Sequence, residues 1–518
     1  MKTLDILVIA LYMSGLLGIG LYFSRRQTTT ESYFIANRSI PSSVMGISLL
    51  ASIITSVTFI AYPGSAYAGD WSLLVPGIMF VVVVFLVGAA IIPFFRHVVR
   101  MSAYEYFGLR FGTGVRLYAS LTFAIGHFLK MGFVFYLLAL TLSSIIGWPV
   151  DRVILLTAAI TIFYTILGGI EAVIWTDVVQ GFVLWAGIIV SISFLLFLPK
   201  QGPLAVLADA WHHGKMSLGS TALRFDKPTI MVLVIYGFFF YLQKYTADQT
   251  VVQRYLMAKT DRSAIRGISL GAFLCLPVWM AFMLIGSLLW SFYRLTGEKL
   301  PSVLKKTEQI FPYFLLTHIP AGLSGLFVAA ILGSAMAMIA QDMNCLATIG
   351  TEDFYRLVRP DSTDRQRLRA GRAIVAGSGL AAAVVAIKVA HTNNGSALSF
   401  YYTLTAVLAG GLAGLFLLAF LMKRATPAGA IAGIVANLAF TIWATLTLGG
   451  KTLNLGRFNF PWHEYMIGAI GHFILLAVGI TFSLLSPSGF KRPDLTVWGW
   501  IQSRRQNAVD TANPSLQA

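Results

Sequence analysis

The sequence predicts an all-α membrane protein that crosses the bilayer many times. Of its 518 residues, 57% are apolar and 11% are charged, whereas a soluble globular domain carries roughly 25% charged residues. Apolar stretches near the length of about 20 residues that a spanning helix needs recur along the chain. The net charge of +17, from 38 Lys+Arg and 21 Asp+Glu, sits mostly in short segments between those stretches. On a soluble chain such an excess would suggest nucleic acid. Between spans it reports topology, and no nucleic-acid partner is expected; the partners expected are the lipid bilayer and a small-molecule solute, with no obligatory protein partner evident.

About 13 transmembrane helices are expected, at 3–23, 42–67, 71–95, 116–147, 151–169, 172–198, 228–247, 264–293, 320–346, 370–391, 397–421, 426–448 and 463–486. The first lacks a small-residue cleavage site after its apolar run and reads as a retained helix rather than a signal peptide. An odd number puts the termini on opposite sides. With the N-terminus outside, the inner segments 24–41, 96–116, 244–266, 352–372, 423–424 and the end after 487 hold 24 Lys+Arg against 13 outside, with Lys130 left inside a span. The positive-inside rule then selects N-out/C-in. Residues 487–518 read as a polar cytoplasmic tail, solvated and poorly ordered. Cys275 and Cys345 both fall in spans and make neither a disulfide framework nor a metal pattern.

Five motifs follow in order: Glu31-Ser-Tyr-Phe-Ile-Ala-Asn-Arg38-Ser-Ile-Pro41; Ser102-Ala-Tyr-Glu105-Tyr-Phe-Gly-Leu-Arg110-Phe-Gly112; Tyr164 through Gly168-Gly169 and Trp175-Thr-Asp177 to Gln180; Asp248-Gln249-Thr-Val-Val-Gln253-Arg254; and Asn344 to Asp353-Phe-Tyr355. Each is weak alone. Together, each at the matching loop or helix end, they resemble the sodium/solute symporter family, over about residues 1–425. The resemblance implies a LeuT-like fold: inverted five-helix repeats with extra helices, in a multi-pass protein of a plasma (inner) membrane. Residues 1–486 would then be the transporter domain, with a leading helix and loop at 1–41, repeats at 42–198 and 228–421, and two extra helices at 426–486. It also implies that the helices at 42–67 and 228–247 are broken near the midplane, where freed carbonyls and dipole ends hold ions and substrate.

The run Ala51-Ser-Ile-Ile54-Thr55-Ser56-Val-Thr58 is small and β-branched, poor helix material that fits an unwound segment. The resemblance assigns the backbone carbonyls of Ala51 and Ile54 to a sodium ion. It also assigns adjacent hydroxyls in the eighth core helix, and here this chain departs, carrying Ala337 and Met338, with Gln341 at a later hydroxyl position. Sodium wants oxygen ligands, as harder cations do, so the usual site is in doubt. The oxygens nearby in the sequence pattern are those of Ser334, Gln341 and Asp342, with Asp177 from the preceding repeat. An acid inside a span is a functional candidate; the alternative for Asp177 is pairing with a loop arginine, and for Asp342 a cap or pair at the helix end.

Lys130 lies deep in a span, at an insertion cost of about 2.5–3.5 kcal/mol that something must offset. Some relatives place there an arginine that holds a substrate carboxylate; pairing with a protein acid is the alternative. His127 reads as a packed or vestibule histidine. Thr55, Ser56 and Thr58 at the break, with Tyr241, Gln243 and Tyr245 in the sixth core helix, complete the substrate candidates. Lys244 stands at the gate position that a tyrosine takes in sugar-transporting relatives. Such relatives also use a glutamate in the second core helix and a lysine in the seventh, and 71–95 and 267–293 contain neither. The function expected is therefore cation-coupled symport, with sodium the coupling ion, of an organic anion, amino acid or acidic sugar rather than a neutral hexose. A proton on Asp177 or Asp342, uncoupled transport, or sensing without transport are the alternatives. An enzyme is not expected, because no HExxH, CxxC or phosphate loop is present.

Overall fold

The computed structural model describes residues 3–302, 304, 307–391, 411–450, 452–486 and 492–512. The main helices are α1 (Thr3–Ser24), α2 (Ser42–Ile53), α3 (Ser56–Ala68), α4 (Leu74–Val98), α5 (Thr113–Ile146), α6 (Val150–Phe197), α7 (Ile230–Ala247), α8 (Gln249–Leu256), α9 (Asp261–Thr296), α10 (Leu323–Ile349), α11 (Asp364–His391), α12 (Leu412–Leu421), α13 (Pro427–Thr447), α14 (Tyr465–Leu485) and α15 (Val497–Ala512). Among the described residues, ten helices have the length and apolarity of a membrane crossing, and α2 with α3 forms one more, bent by 60°. Their outward faces carry Leu7, Leu11, Phe85, Phe163 and Phe182, all exposed. Apolar side chains turned outward from helix after helix match a hydrocarbon surround, not water.

Inside, the helices approach closely through small residues. A Cβ on Gly46 of α2 would stand 3.0 Å from the Gly267 carbonyl, and one on Gly271 of α9 would stand 2.8 Å from the Gly46 carbonyl. The centre is α10, whose residues from Phe327 to Ile349 are all buried. It is apolar around nearly its whole circumference, as a helix enclosed on every side must be, and it touches α1, α2, α5, α6 and α11.

The motif residues between spans act as clamps. Glu105 accepts from the backbone N–H groups of Arg100, Met101 and Ser102. Arg110 is fully buried and donates to the carbonyls of Ala419, Met422 and Lys423. Asp353 is paired with Arg116 and accepts from Ser102 and Ser120.

The structure corrects three expectations. The sixth core helix is not broken within 228–247: α7 runs whole and the chain breaks at Asp248, after which α8 continues. All eight residues of α8 are buried, although they fall in the segment expected to be an inner loop. Its arginine and glutamines made it look polar, but the glutamines are hydrogen-bonded inside the protein and Arg254 lies against Asp177. The end of the chain is also not wholly solvated. Tyr106 donates to the Leu495 carbonyl, Trp498 to the Leu421 carbonyl, and Arg504 pairs with Asp261. Residues 151–169 and 172–198 lie in one 48-residue helical run, α6, divided at Gly169 (φ 56°, ψ −156°). The first part of the span expected at 397–421 lies outside the described residues.

Gly169 occupies a backbone region that is almost exclusive to glycine, and a Cβ there would stand 2.7 Å from the Tyr33 ring and 2.9 Å from its carbonyl oxygen. Gly169→Ala is expected to destabilise the protein by on the order of 1–3 kcal/mol, read as a lowered Tm in detergent. Gly15→Ala, whose Cβ meets nothing within 4 Å, should leave the Tm unchanged.

Candidate functional site

The first helix break falls where the β-branched run predicts it. Ile54 (φ −83°, ψ 104°) and Thr55 (φ −105°, ψ 171°) are extended between α2 and α3. The Thr55 N–H donates to Thr58 Oγ1 at 3.3 Å, so Thr58 serves the N-terminus of α3. The carbonyls of the last turn of α2, Ala51 among them, have no helical partner by construction. The side chain of Ser56 lies outside the described residues.

The second break is at Asp248 (φ −103°, ψ 114°). Its carboxylate caps α8, accepting from Thr250 N at 2.9 Å and Thr250 Oγ1 at 2.5 Å. Its other oxygen, Oδ2, accepts from Lys244 Nζ at 2.5 Å. An aspartate at an N-cap satisfies N–H groups that the break has exposed.

Two polar groups flank α10, on different sides. Asp177 of α6 is fully buried; its Oδ2 accepts from Ser48 Oγ at 2.5 Å and Gln341 Nε2 at 2.8 Å, with Arg254 NH2 at 3.5 Å. Its Oδ1 is buried with no hydrogen-bond partner. Asp342 is also fully buried, but it faces α5, where Lys130 Nζ lies 3.0 Å from Oδ2 and His127 Nδ1 lies 2.8 Å from Oδ1. His127 Nε2 lies 3.4 Å from Asp248 Oδ2. The result is a chain of charge, Lys130–Asp342–His127–Asp248–Lys244, that joins α5 and α10 to the second break.

The expected ion group is therefore divided. Gln341 and Asp177 meet, whereas Asp342, the next residue, points about 100° away around the helix and belongs to the Lys130 group. Asp342 does not meet Asp177; it pairs with Lys130 and His127, the pairing alternative read from the sequence. Ser334 donates back to the Ile331 carbonyl at 3.0 Å, as a buried serine in a helix commonly does. Ala337 and Met338 are buried and bring no side-chain oxygen.

Lys130 finds its offset in Asp342 and keeps 24% of its side chain exposed. His127 is more than a packed ring, since both its nitrogens face carboxylates. Tyr241 and Tyr245 sit in an aromatic cluster with Phe80, at ring distances of 4.7 and 5.1 Å, and Trp279 closes on Phe80 and Tyr241. The Tyr245 hydroxyl donates to the Phe80 carbonyl at 3.2 Å, so it is used within the protein. Gln243 is half-buried. Sequence reasoning missed Ser48, Arg254 and Asp248 as members of these groups. Ser48 had a legible signal, standing one turn before Ala51; the other two were hidden by the assignment of 244–266 to a loop.

Comparison with known proteins places this geometry among transporters. The model of the sodium:solute symporter family matches residues 33–436. The sodium/sialic acid symporter NanT of Aliivibrio fischeri is 32% identical over 98% of this chain and 99% of its own length. The sodium/sialic acid symporter SiaT of Proteus mirabilis is 30% identical over 92% of this chain and 94% of its own. A solved Na+-coupled sialic acid symporter in a substrate-bound outward-open state superposes with a TM-score of 0.86 at 28% identity, covering 95% of this chain and all of that one.

Removing one member of a buried ion pair costs about 3–5 kcal/mol because the other charge is stranded. Lys130→Met is therefore expected to lower the Tm sharply, and Lys130→Met combined with Asp342→Asn to recover most of the loss. A double variant no more stable than the single one would show that the pair is not coupled.

Proposed function

The chain belongs to the sodium:solute symporter family, and from that premise we propose that it is a secondary transporter moving a small organic acid together with sodium, an acidic sugar of the sialic acid kind being the substrate class. The fold is the LeuT-like one of this family. A plasma (inner) membrane location goes with this reading.

The observation that carries the substrate class is the placement of Lys130. Its ammonium is joined, through Asp342 and His127, to the second helix break, and 24% of its side chain remains exposed. A solute carboxylate arriving beside it would share a cation already held in place, so little order would be lost on binding. The two helix breaks supply backbone donors and acceptors for hydroxyl groups, with Thr55 and Gln243 as polar neighbours. Tyr241 offers an aromatic wall, whereas Tyr245 is already occupied with Phe80.

Sodium is a transported ion here, and oxygen donors decide where it goes. Ala337 and Met338 offer none from their side chains. Asp177 has one buried carboxylate oxygen without a donor, and Ser48 ties it to the helix that carries the Ala51 and Ile54 carbonyls. We place the sodium path beside Asp177, with Gln341 as a further oxygen ligand. Asp342 is committed to Lys130 and His127 and takes no part in it.

Uptake of radiolabelled sialic acid into proteoliposomes tests the proposal. An inward sodium gradient is expected to drive accumulation above equilibrium, choline is not, and Asp177→Asn is expected to cut the sodium stimulation at least tenfold. Equal uptake in sodium and choline, or sodium-driven uptake of glucose but not of sialic acid, would sink it.

A further inference from the structure

His127 stands between two carboxylates, with Nδ1 2.8 Å from Asp342 and Nε2 3.4 Å from Asp248. A neutral imidazole has one N–H and one lone pair. With the proton on Nδ1, toward Asp342, the Nε2 lone pair faces the Asp248 carboxylate with nothing donated between them. A second proton on Nε2 turns that contact into a charge-assisted hydrogen bond. The ring is held in position for it: it is buried, stacked on Phe123 with centroids 3.8 Å apart, and its neighbours are themselves anchored.

The surrounding charges set the consequence. Lys130 and Lys244 balance Asp342 and Asp248. The other titratable groups behind the carboxylates are engaged: Tyr104 donates to the Ala247 carbonyl at 2.9 Å, Cys345 to Gln253 Oε1 at 3.0 Å, and Arg254 lies against Asp177. The Lys130-to-Lys244 chain is thus neutral with a neutral imidazole and carries one positive charge with a protonated one.

We propose that His127 is a proton-binding site of the transport core, and that its second proton, held between Nε2 and Asp248, binds together with the anionic solute. The step is an association: a hydrated proton leaves water and forms one N–H bond, and nothing is oxidised or cleaved. The added positive charge complements the solute carboxylate, so each favours the other, and the coupling is reciprocal. The same proton ties α5 to the break between α7 and α8, so solute binding and the position of the broken helix depend on it together. The linkage to an anion rests on the substrate class proposed above; the proton site itself does not.

Two measurements decide it. In solute-free protein in nanodiscs, 15N-labelled histidine followed by NMR against pH, with His127→Gln identifying the resonance, is expected to show a form with both ring nitrogens protonated. Asp248→Asn keeps an N-cap of equal quality for α8 and should remove or weaken that form. A ring that stays in one neutral tautomer throughout, or that titrates identically in Asp248→Asn, overturns the proposal. With sialic acid added in weak buffer near neutral pH, the wild type should take up as much as one proton per bound solute and bind more tightly at lower pH, up to tenfold per pH unit. His127→Gln should do neither. Sialic acid bound without proton uptake overturns the linkage. Sialic acid not bound at all counts against the substrate class, and the ring spectra then decide the proton site by themselves.

Discussion

Charges removed from water must find each other, and three such pairings organise this molecule: Lys130 with Asp342, Lys244 with Asp248, and Arg254 with Asp177. Arg254–Asp177 ties the helix after the second break to α6, Lys244–Asp248 braces that break, and Lys130–Asp342 joins α5 to α10. Helix packing within lipid lacks the hydrophobic drive that water supplies, so polar contacts of this kind take a larger share in fixing relative position. They also make the breaks tolerable. An interrupted helix leaves donors and acceptors that would be costly in an apolar surround; Asp248 caps one interruption, and Thr58 serves the other.

The central helix α10 keeps two polar systems apart. Gln341 turns to Asp177 and Asp342 turns to Lys130, although the residues are adjacent. This separation bears on how the chain meets its loss of the usual hydroxyls. The Asp177 side offers unpaired oxygen to a hard cation. The Asp342 side is a charge chain whose sum is zero until a proton is added. The sodium path and the proton site proposed above thus lie on different sides of α10, and neither depends on Ala337 or Met338.

The short segments between spans are equally constrained. Glu105, Arg110 and Asp353 look like surface charges in a linear reading, but each is buried and hydrogen-bonded to backbone or side-chain partners. Their role is to hold neighbouring ends of α4, α5, α10 and α12 together. Motif positions between spans are thus explained by hydrogen-bond accounting as much as by transport chemistry.

The sequence by itself determined the class of this protein. Apolar runs near 20 residues and scarce charge point to helices in a bilayer, where each such run satisfies its own backbone polar groups. The β-branched run at Ala51–Thr58 marked one break by local propensity, and the ordered motifs marked the family. Tertiary structure alone decided the partners. Lys130 and Asp342 are 212 positions apart, and no local period connects them. His127 was legible only as a ring in a span until α10 and the end of α7 brought a carboxylate to each nitrogen. The break at Asp248 was hidden because α8, polar in sequence, is buried in space. Its polarity is matched by residues contributed from α6, α10 and the loop after α1, and such matching is a property of the packed fold, not of any segment within it.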